Sequence, residues 1–200
     1  MSGEEILTEG VIRKRNEAIR ALYDQYAPVL LGVCCRYCEN REDAEDVLQE
    51  GFIKIIGNIS GFKPNHNGSL LSWMKRIMAN TALNQIRCRH KILVDTSSLP
   101  PETETGEADD PFPFSLILGK LSQEEILGMI TSLPPGYRAV FNLYVFEGFS
   151  HKEIADALNC SESTSKSQLS KARALLRHKI AETLQNGEKS EYGKAQASYR

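Results

Sequence analysis

Between Asp43 and Ile59 the apolar residues Ala44, Val47, Leu48, Gly51, Phe52, Ile55, Ile56 and Ile59 recur at three- and four-residue steps. That period lines one face of an α-helix and cannot line one face of a strand, so this part of the chain must bury itself against other helices. The positions left facing outward are Glu42, Asp43, Glu45, Asp46, Gln49 and Glu50, with Ile53 as a single apolar residue off the seam. After Gly57-Asn58 and a polar stretch from Gly61 to Gly68, a second helical pattern opens with Ser69 placed to cap it and Leu70, Met74, Ile77, Met78 and Ile86 on its inner side. Its outer stripe is Trp73, Arg76, Asn80, Asn84 and Arg87, flanked by Lys75, Arg89 and Lys91. No Asp or Glu occurs from Lys63 to Lys91.

Two adjoining helices therefore carry outer faces of opposite character. Cations, side-chain amides and an aromatic on one face supply charge neutralisation, hydrogen bonds and a stacking surface, the chemistry that phosphates and unstacked bases ask for. The acidic face with its one greasy spot suits a protein partner. Lys63, Asn65, Asn67 and Ser69 belong to a polar loop delivered to the edge of the basic stripe, where it is either a nucleotide grip or a solvated connection. Trp73 reads equally as a core aromatic and as a stacking platform.

The chain's 200 residues and 41% hydrophobic content fit a globular protein of one large or two small domains. A formal net charge of −2 hides segments of strongly different sign, and a nucleic-acid face needs only local charge. The N-terminus lacks a basic-apolar-small leader pattern and no apolar run is long enough to span a bilayer, so the expected compartment is the cytoplasm, without membrane insertion. Cys34, Cys35, Cys38, Cys88 and Cys160 make an odd number, which argues against a disulfide framework. Cys35 and Cys38 have CxxC spacing but lie in a helical apolar pattern without a second ligand pair, so they read as buried small residues and no metal is expected. No phosphate-cradling Gly loop, nucleophile elbow or paired metal-ligand motif is present, and no enzymatic activity is expected.

Upstream, apolar residues from Ile6 to Tyr37 keep a helical period and predict two helices, with Pro28 as boundary or kink. Downstream, residues 92–121 lose the pattern: six acidic residues from Asp95 to Asp110 and four prolines occur with no Lys or Arg until Lys120, which predicts a flexible acidic linker. Ser122 with Glu125 then opens a helix, Pro134-Pro135 separates it from another on Val140, Phe141, Tyr144 and Val145, and Ser150 with Glu153 opens a short third. Asn159-Cys160 turns the chain into a final helix capped by Ser161 and seamed by Leu169, Ala172, Leu175, Leu176 and Ile180. Short helix, tight turn and longer helix is the helix-turn-helix pattern, whose second helix enters the major groove. Ser163, Thr164, Lys166, Ser167, Gln168, Lys171 and Arg173 supply that helix with hydroxyl, amide and cationic groups. Residues 185–200 read as a polar, disordered tail.

The run from Asp43 to Ile55, Trp73 with Arg76 to Leu83, and Leu133 to Phe141 leading into Glu147 to Ala155 together resemble the extracytoplasmic-function (ECF) sigma factors of bacterial RNA polymerase. The resemblance covers most of residues 20 to 180. It implies an all-α chain of two small helical domains: residues 1–91 as sigma region 2, 92–121 as linker and 122–184 as the helix-turn-helix of region 4. It further implies that Asp46, Gln49, Glu50 and Ile53 face core polymerase, that the loop from Lys63 to Ser69 with Trp73, Lys75, Arg76, Asn80 and Asn84 reads and melts the minus-ten element, and that Ser163 to Arg173 read the minus-thirty-five element. Core polymerase, promoter DNA and an anti-sigma factor are the implied partners. Ser165 stands where many relatives carry an apolar residue, Gln168 where Arg is frequent and Asn84 in place of a common Asp, so no promoter sequence carries over. Two other readings of the residues remain at this point: a dimeric operator-binding regulator, and an interaction module that occupies polymerase without starting transcription.

Overall fold

The computed structural model describes residues 3–63, 69–89 and 121–197, with side chains placed to residue 85 in the second segment and to residue 185 in the third. The described residues are helical throughout, without strands. Four helices form the amino-terminal group: α1 (Gly3–Ile12), α2 (Asn16–Tyr37), α3 (Arg41–Asn58) and α4 (Leu70–Arg89). Four form the carboxy-terminal group: α5 (Gln123–Thr131), α6 (Pro135–Phe141), α7 (His151–Leu158) and α8 (Glu162–Ala197). The expected linker falls outside the described residues except for Leu121.

The two helices expected here divide at Lys14, and not at Pro28, which the sequence offers as boundary or kink. There Lys14 adopts a left-handed φ of 54°, and the bonds Arg15 N–H to Gly10 O (3.0 Å) and Lys14 N–H to Val11 O (2.9 Å) close α1 in a Schellman arrangement. Helix α2 runs unbroken through Pro28. A proline inside a helix costs about 3 kcal/mol, but α2 buries Leu22, Tyr26, Leu30, Val33 and Tyr37, each contributing about 1.5–3 kcal/mol, and burial prevails. Pro28 and Asp24, whose carbonyl loses its partner, are both on the water side.

Helix α3 is capped by Asn40, whose Oδ1 accepts the Asp43 N–H at 2.8 Å. Its seam buries Ala44, Val47, Leu48, Gly51, Phe52 and Ile55 against α2 and α4. A Cβ on Gly51 would run into Met78 Sδ, so glycine here sets the close approach of α3 and α4. Leu70, Met74, Met78, Ala79, Ala82 and Leu83 complete that core.

In the carboxy-terminal group both expected capping boxes are formed in full, Ser122 with Glu125 and Ser150 with Glu153. Helix α6 continues into a π-turn, Asn142–Phe146, whose Glu147 N–H bonds Asn142 O at 3.2 Å. The wider turn rotates the residues that follow: Leu143 goes fully inside, while Tyr144, expected on the inner face, emerges 37% exposed. Asn159, left-handed at φ 53°, makes the turn into α8. That helix extends to Ala197 rather than ending near residue 184. Beyond Gly187 the tail consists largely of Glu, Lys, Gln and Ala, good helix formers that prolong α8 without any apolar stripe.

Candidate nucleic-acid interface

The outer face of α3 is built as its charge pattern demands. Asp46, Gln49, Glu50 and Ile53 are all exposed, Ile53 by 72%, the largest exposure of any large apolar side chain described. Part of the acidic charge is met within the helix, by Arg41 Nε on Glu45 Oε1 at 2.7 Å and Lys54 Nζ on Glu50 Oε1 at 2.6 Å. Exposed pairs of this spacing contribute about 0.3–0.5 kcal/mol each, so they shape the face without neutralising it.

Helix α4 begins at Ser69, whose Oγ accepts the Ser72 N–H at 3.2 Å. Lys63, Asn80 and Asn84 are exposed and Lys75 is half-buried; Asn65 and Asn67 lie outside the described residues. Trp73 is half-buried, its ring tilted against Phe62 with centroids 5.5 Å apart. It is thus fixed by the core on one side and open on the other. Arg76, at the centre of the stripe, is 48% exposed and already engaged: its Nη2 meets Glu153 Oε1 at 2.7 Å and its guanidinium lies 4.5 Å over the Phe149 ring.

On α8 the candidates divide. Ser163, Lys166 and Ser167 are exposed and Lys171 is half-buried. Thr164 turns toward the cap, with its N–H on Ser161 Oγ at 3.0 Å. Gln168 lies against Gly136 of α6, and Arg173 sits 5.7 Å over the Tyr144 ring. Ser165 is fully buried, and its Oγ is 2.9 Å from Nδ1 of His151, which itself stacks on Tyr144 at 4.7 Å. Burial, assisted by Lys166, holds the His151 pKa below its ordinary value, so a neutral imidazole joins the first helix of the corner to the second. The resulting surface carries two exposed serine hydroxyls and two lysines, and a polar rather than an apolar contact joins the two helices of the corner behind it.

A family model described as Sigma-70 region 2 matches residues 22–92, and one described as Sigma-70, region 4 matches residues 123–176. The chain belongs to the ECF sigma factors. It is 30% identical over 160 residues to the ECF RNA polymerase sigma factor SigE of Mycolicibacterium smegmatis, a match that spans 80% of this chain and 60% of that protein. With the ECF RNA polymerase sigma-E factor of Haemophilus influenzae it shares 26% over 182 residues, covering 88% and 95%. With the RNA polymerase sigma-H factor of Pseudomonas aeruginosa it shares 28% over 172 residues, covering 84% and 88%. The fold is like that of the sigma factor RpoE of Bartonella quintana, solved with the anti-sigma factor NepR, at a TM-score of 0.51 and 21% identity over 81% of this chain and 96% of that one. As a sigma factor the protein serves promoter-directed transcription initiation, with core RNA polymerase and promoter DNA as its partners. Among the described residues no helix is long and apolar enough to cross a membrane and no cluster of metal-ligating side chains occurs.

The two sigma regions touch. Arg36 at the end of α2 places Nη2 2.6 Å from Glu147 Oε1, with the carboxylate side chain only 1% exposed, and its guanidinium lies 4.4 Å over Phe146. Buried Asn142, on the π-turn, donates through Nδ2 to Arg36 O at 2.9 Å. Burial raises the Glu147 carboxyl above its usual pKa although Arg36 pulls the other way, so desolvation outweighs the ion pair. Glu153 differs: its bonds to Ser150, backbone first, and to Arg76 hold its pKa down. The sequence reading missed Arg36, Asn142 and Glu147 because their partners are more than a hundred residues away and no periodicity joins them. Ser165 offered a signal, a polar residue at an otherwise apolar position of the corner.

Proposed function

We propose that the outer face of α3, through Asp46, Gln49, Glu50 and Ile53, docks on a basic surface of core polymerase, while α4 with the Lys63–Ser69 loop captures the minus-ten element and α8 reads the minus-thirty-five element. The observation that carries this reading is the exposure of Ile53 amid acidic and amide side chains, on a helix packed directly against the one that bears Trp73, Arg76, Asn80 and Asn84. An apolar anchor ringed by charge is the composition of a protein interface with a hot spot, whereas cations and amides without carboxylates suit DNA. Docking one face on polymerase thereby carries the neighbouring face to the promoter.

Unstacking a base costs a few kcal/mol, and an aromatic platform returns about 1–3 kcal/mol per base. Trp73, braced by Phe62, suits that role, with Arg76, Lys75 and the two asparagines holding backbone and base edges. Residues 1–91 and 122–184 are the proposed functional domains, joined by residues 92–121. The protein acts in the cytoplasm, without a catalytic centre of its own, and an anti-sigma factor is its proposed negative regulator; the fold likeness to a sigma factor solved with such a partner supports that reading. Replacing Asp46 and Gln49 together by Ala tests the assignment: core-polymerase affinity should fall while helix content is kept, and unchanged affinity would remove this face from the interface.

A further inference from the structure

We propose that His151 is a further contact for the upstream duplex: its Nε2 donates to a backbone phosphate of the minus-thirty-five element, and the imidazole takes up a proton as that phosphate arrives. The inference rests on reading α8 as the helix that enters the duplex. In a helix-turn-helix the second helix enters the groove by its amino-terminal residues, while the first crosses the phosphate backbone. His151 is the first residue of α7, the first helix of the corner, and its Nδ1 lies 2.9 Å from Oγ of Ser165 in the first turn of α8. The ring is thus fixed where the entering end of α8 meets the helix that crosses the backbone. Its flat face stacks on Tyr144 of the π-turn with centroids 4.7 Å apart, which holds its plane. Of the two ring nitrogens only Nδ1 is bonded within the described residues, and Nε2 is not buried, so the half-buried ring offers Nε2 to solvent.

The surrounding charge makes the protonation of this ring depend on a phosphate. Burial first, and then Lys166 and Arg173 of α8, hold its pKa below the ordinary value, while exposed Glu162 at the start of α8 pulls the other way. The π-turn contributes the Tyr144 ring, and on α7 itself the next residue is exposed Lys152. A duplex phosphate beside Lys166 reverses this balance, because it offsets the two cations and adds a negative charge of its own. The neutral ring then takes one proton from water. Nδ1–H donates to Ser165 Oγ and Nε2–H to the phosphate oxygen, so the bond that joins the two helices of the corner is kept. Because the bound state has the higher pKa, the extra affinity is complete below the free-state pKa and disappears as pH rises through the bound-state pKa. A rise of about one unit on binding corresponds to about tenfold in affinity.

The test uses holoenzyme assembled from core polymerase and the full chain, with a labelled duplex that spans the upstream half of a promoter mapped by run-off transcription. Affinity is measured at about pH 6 and about pH 8, on either side of the physiological histidine range, for wild type, His151→Gln and His151→Lys. Circular dichroism checks that helix content is unchanged at both values. Wild type should bind about tenfold more tightly than His151→Gln at the lower pH and nearly equally at the higher one, whereas His151→Lys, charged throughout, should stay tight at both. The slope of log affinity against log salt for wild type should also be steeper by about one at the lower pH. The same pH dependence in wild type and His151→Gln, or a His151→Lys as weak as His151→Gln, overturns the histidine contact. Lys166→Ala in the same assay separates the two readings. If it too leaves affinity unchanged, α8 does not face the duplex and both readings fall; a weakened Lys166→Ala beside an unresponsive His151→Gln removes the histidine contact alone.

Discussion

Helices α3 and α4 pack side by side, yet their outer faces are satisfied in different ways. On α3 the ion pairs are local, Arg41 with Glu45 and Glu50 with Lys54, each one turn apart. On α4 the central Arg76 finds its carboxylate 77 residues away, on a helix of the other region. A face stabilised by its own neighbours is ready for a partner at all times; a face whose charge is met from a distant element changes when that element moves. The comparison teaches that the face proposed for polymerase and the face proposed for the promoter differ in where their charge is satisfied, one within its own helix and the other across the two regions.

Four variants press on that contrast. The largest effect is expected from Ile53→Asp, which puts a charge where an exposed apolar side chain stands. A lost hot spot costs about 2 kcal/mol or more, so core-polymerase affinity measured by fluorescence anisotropy should drop about thirtyfold with no change in thermal midpoint. Next, Asn80→Ala together with Asn84→Ala should slow open-complex formation about tenfold, read by permanganate footprinting, and leave core affinity untouched. Equal losses in both assays would dissolve the distinction between the faces.

Ser165→Ala moves the contrast to the second region. Deprived of Ser165 Oγ, the half-buried His151 loses its partner at Nδ1, for a cost of about 1 kcal/mol in thermal unfolding. Binding to an upstream duplex should weaken beyond what that loss of stability explains, because the tilt of α8 changes; a variant as tight as wild type would show that the contact sets stability alone. The smallest effect belongs to Lys166→Ala. With one phosphate contact removed, the slope of log affinity against log salt should fall by about one for every duplex tested.

Local features were legible in the sequence to the residue. Both capping boxes, the apolar seam of α3 and the turn at Asn159 follow from patterns a few residues long, and each is formed. Pro28 misled because proline's cost is intrinsic while the burial of Tyr26, Leu30 and Val33 that outweighs it is tertiary. A regular helix would carry Tyr144 inside, and one π-turn reverses that. Trp73 was balanced between core and surface, and half-burial against Phe62 gives it both characters. On α8 the alternation of polar residues could not say which point outward. Gln168 lies beside Gly136 and Arg173 over the Tyr144 ring, both half-buried, leaving Lys166 and Ser167 at the surface. The Arg36–Glu147 ion pair has no local signature at all.

As a sigma factor, this chain gives core polymerase its promoters. Run-off transcription from fragmented genomic DNA of the source cell, with core polymerase in the presence and absence of the protein, tests it most directly. New discrete starts that share two upstream elements are expected, and they should disappear with the Asp46→Ala, Gln49→Ala double variant. Unchanged transcription, with the protein alone protecting a palindromic duplex, would contradict it and assign the helix-turn-helix to an operator-binding regulator instead.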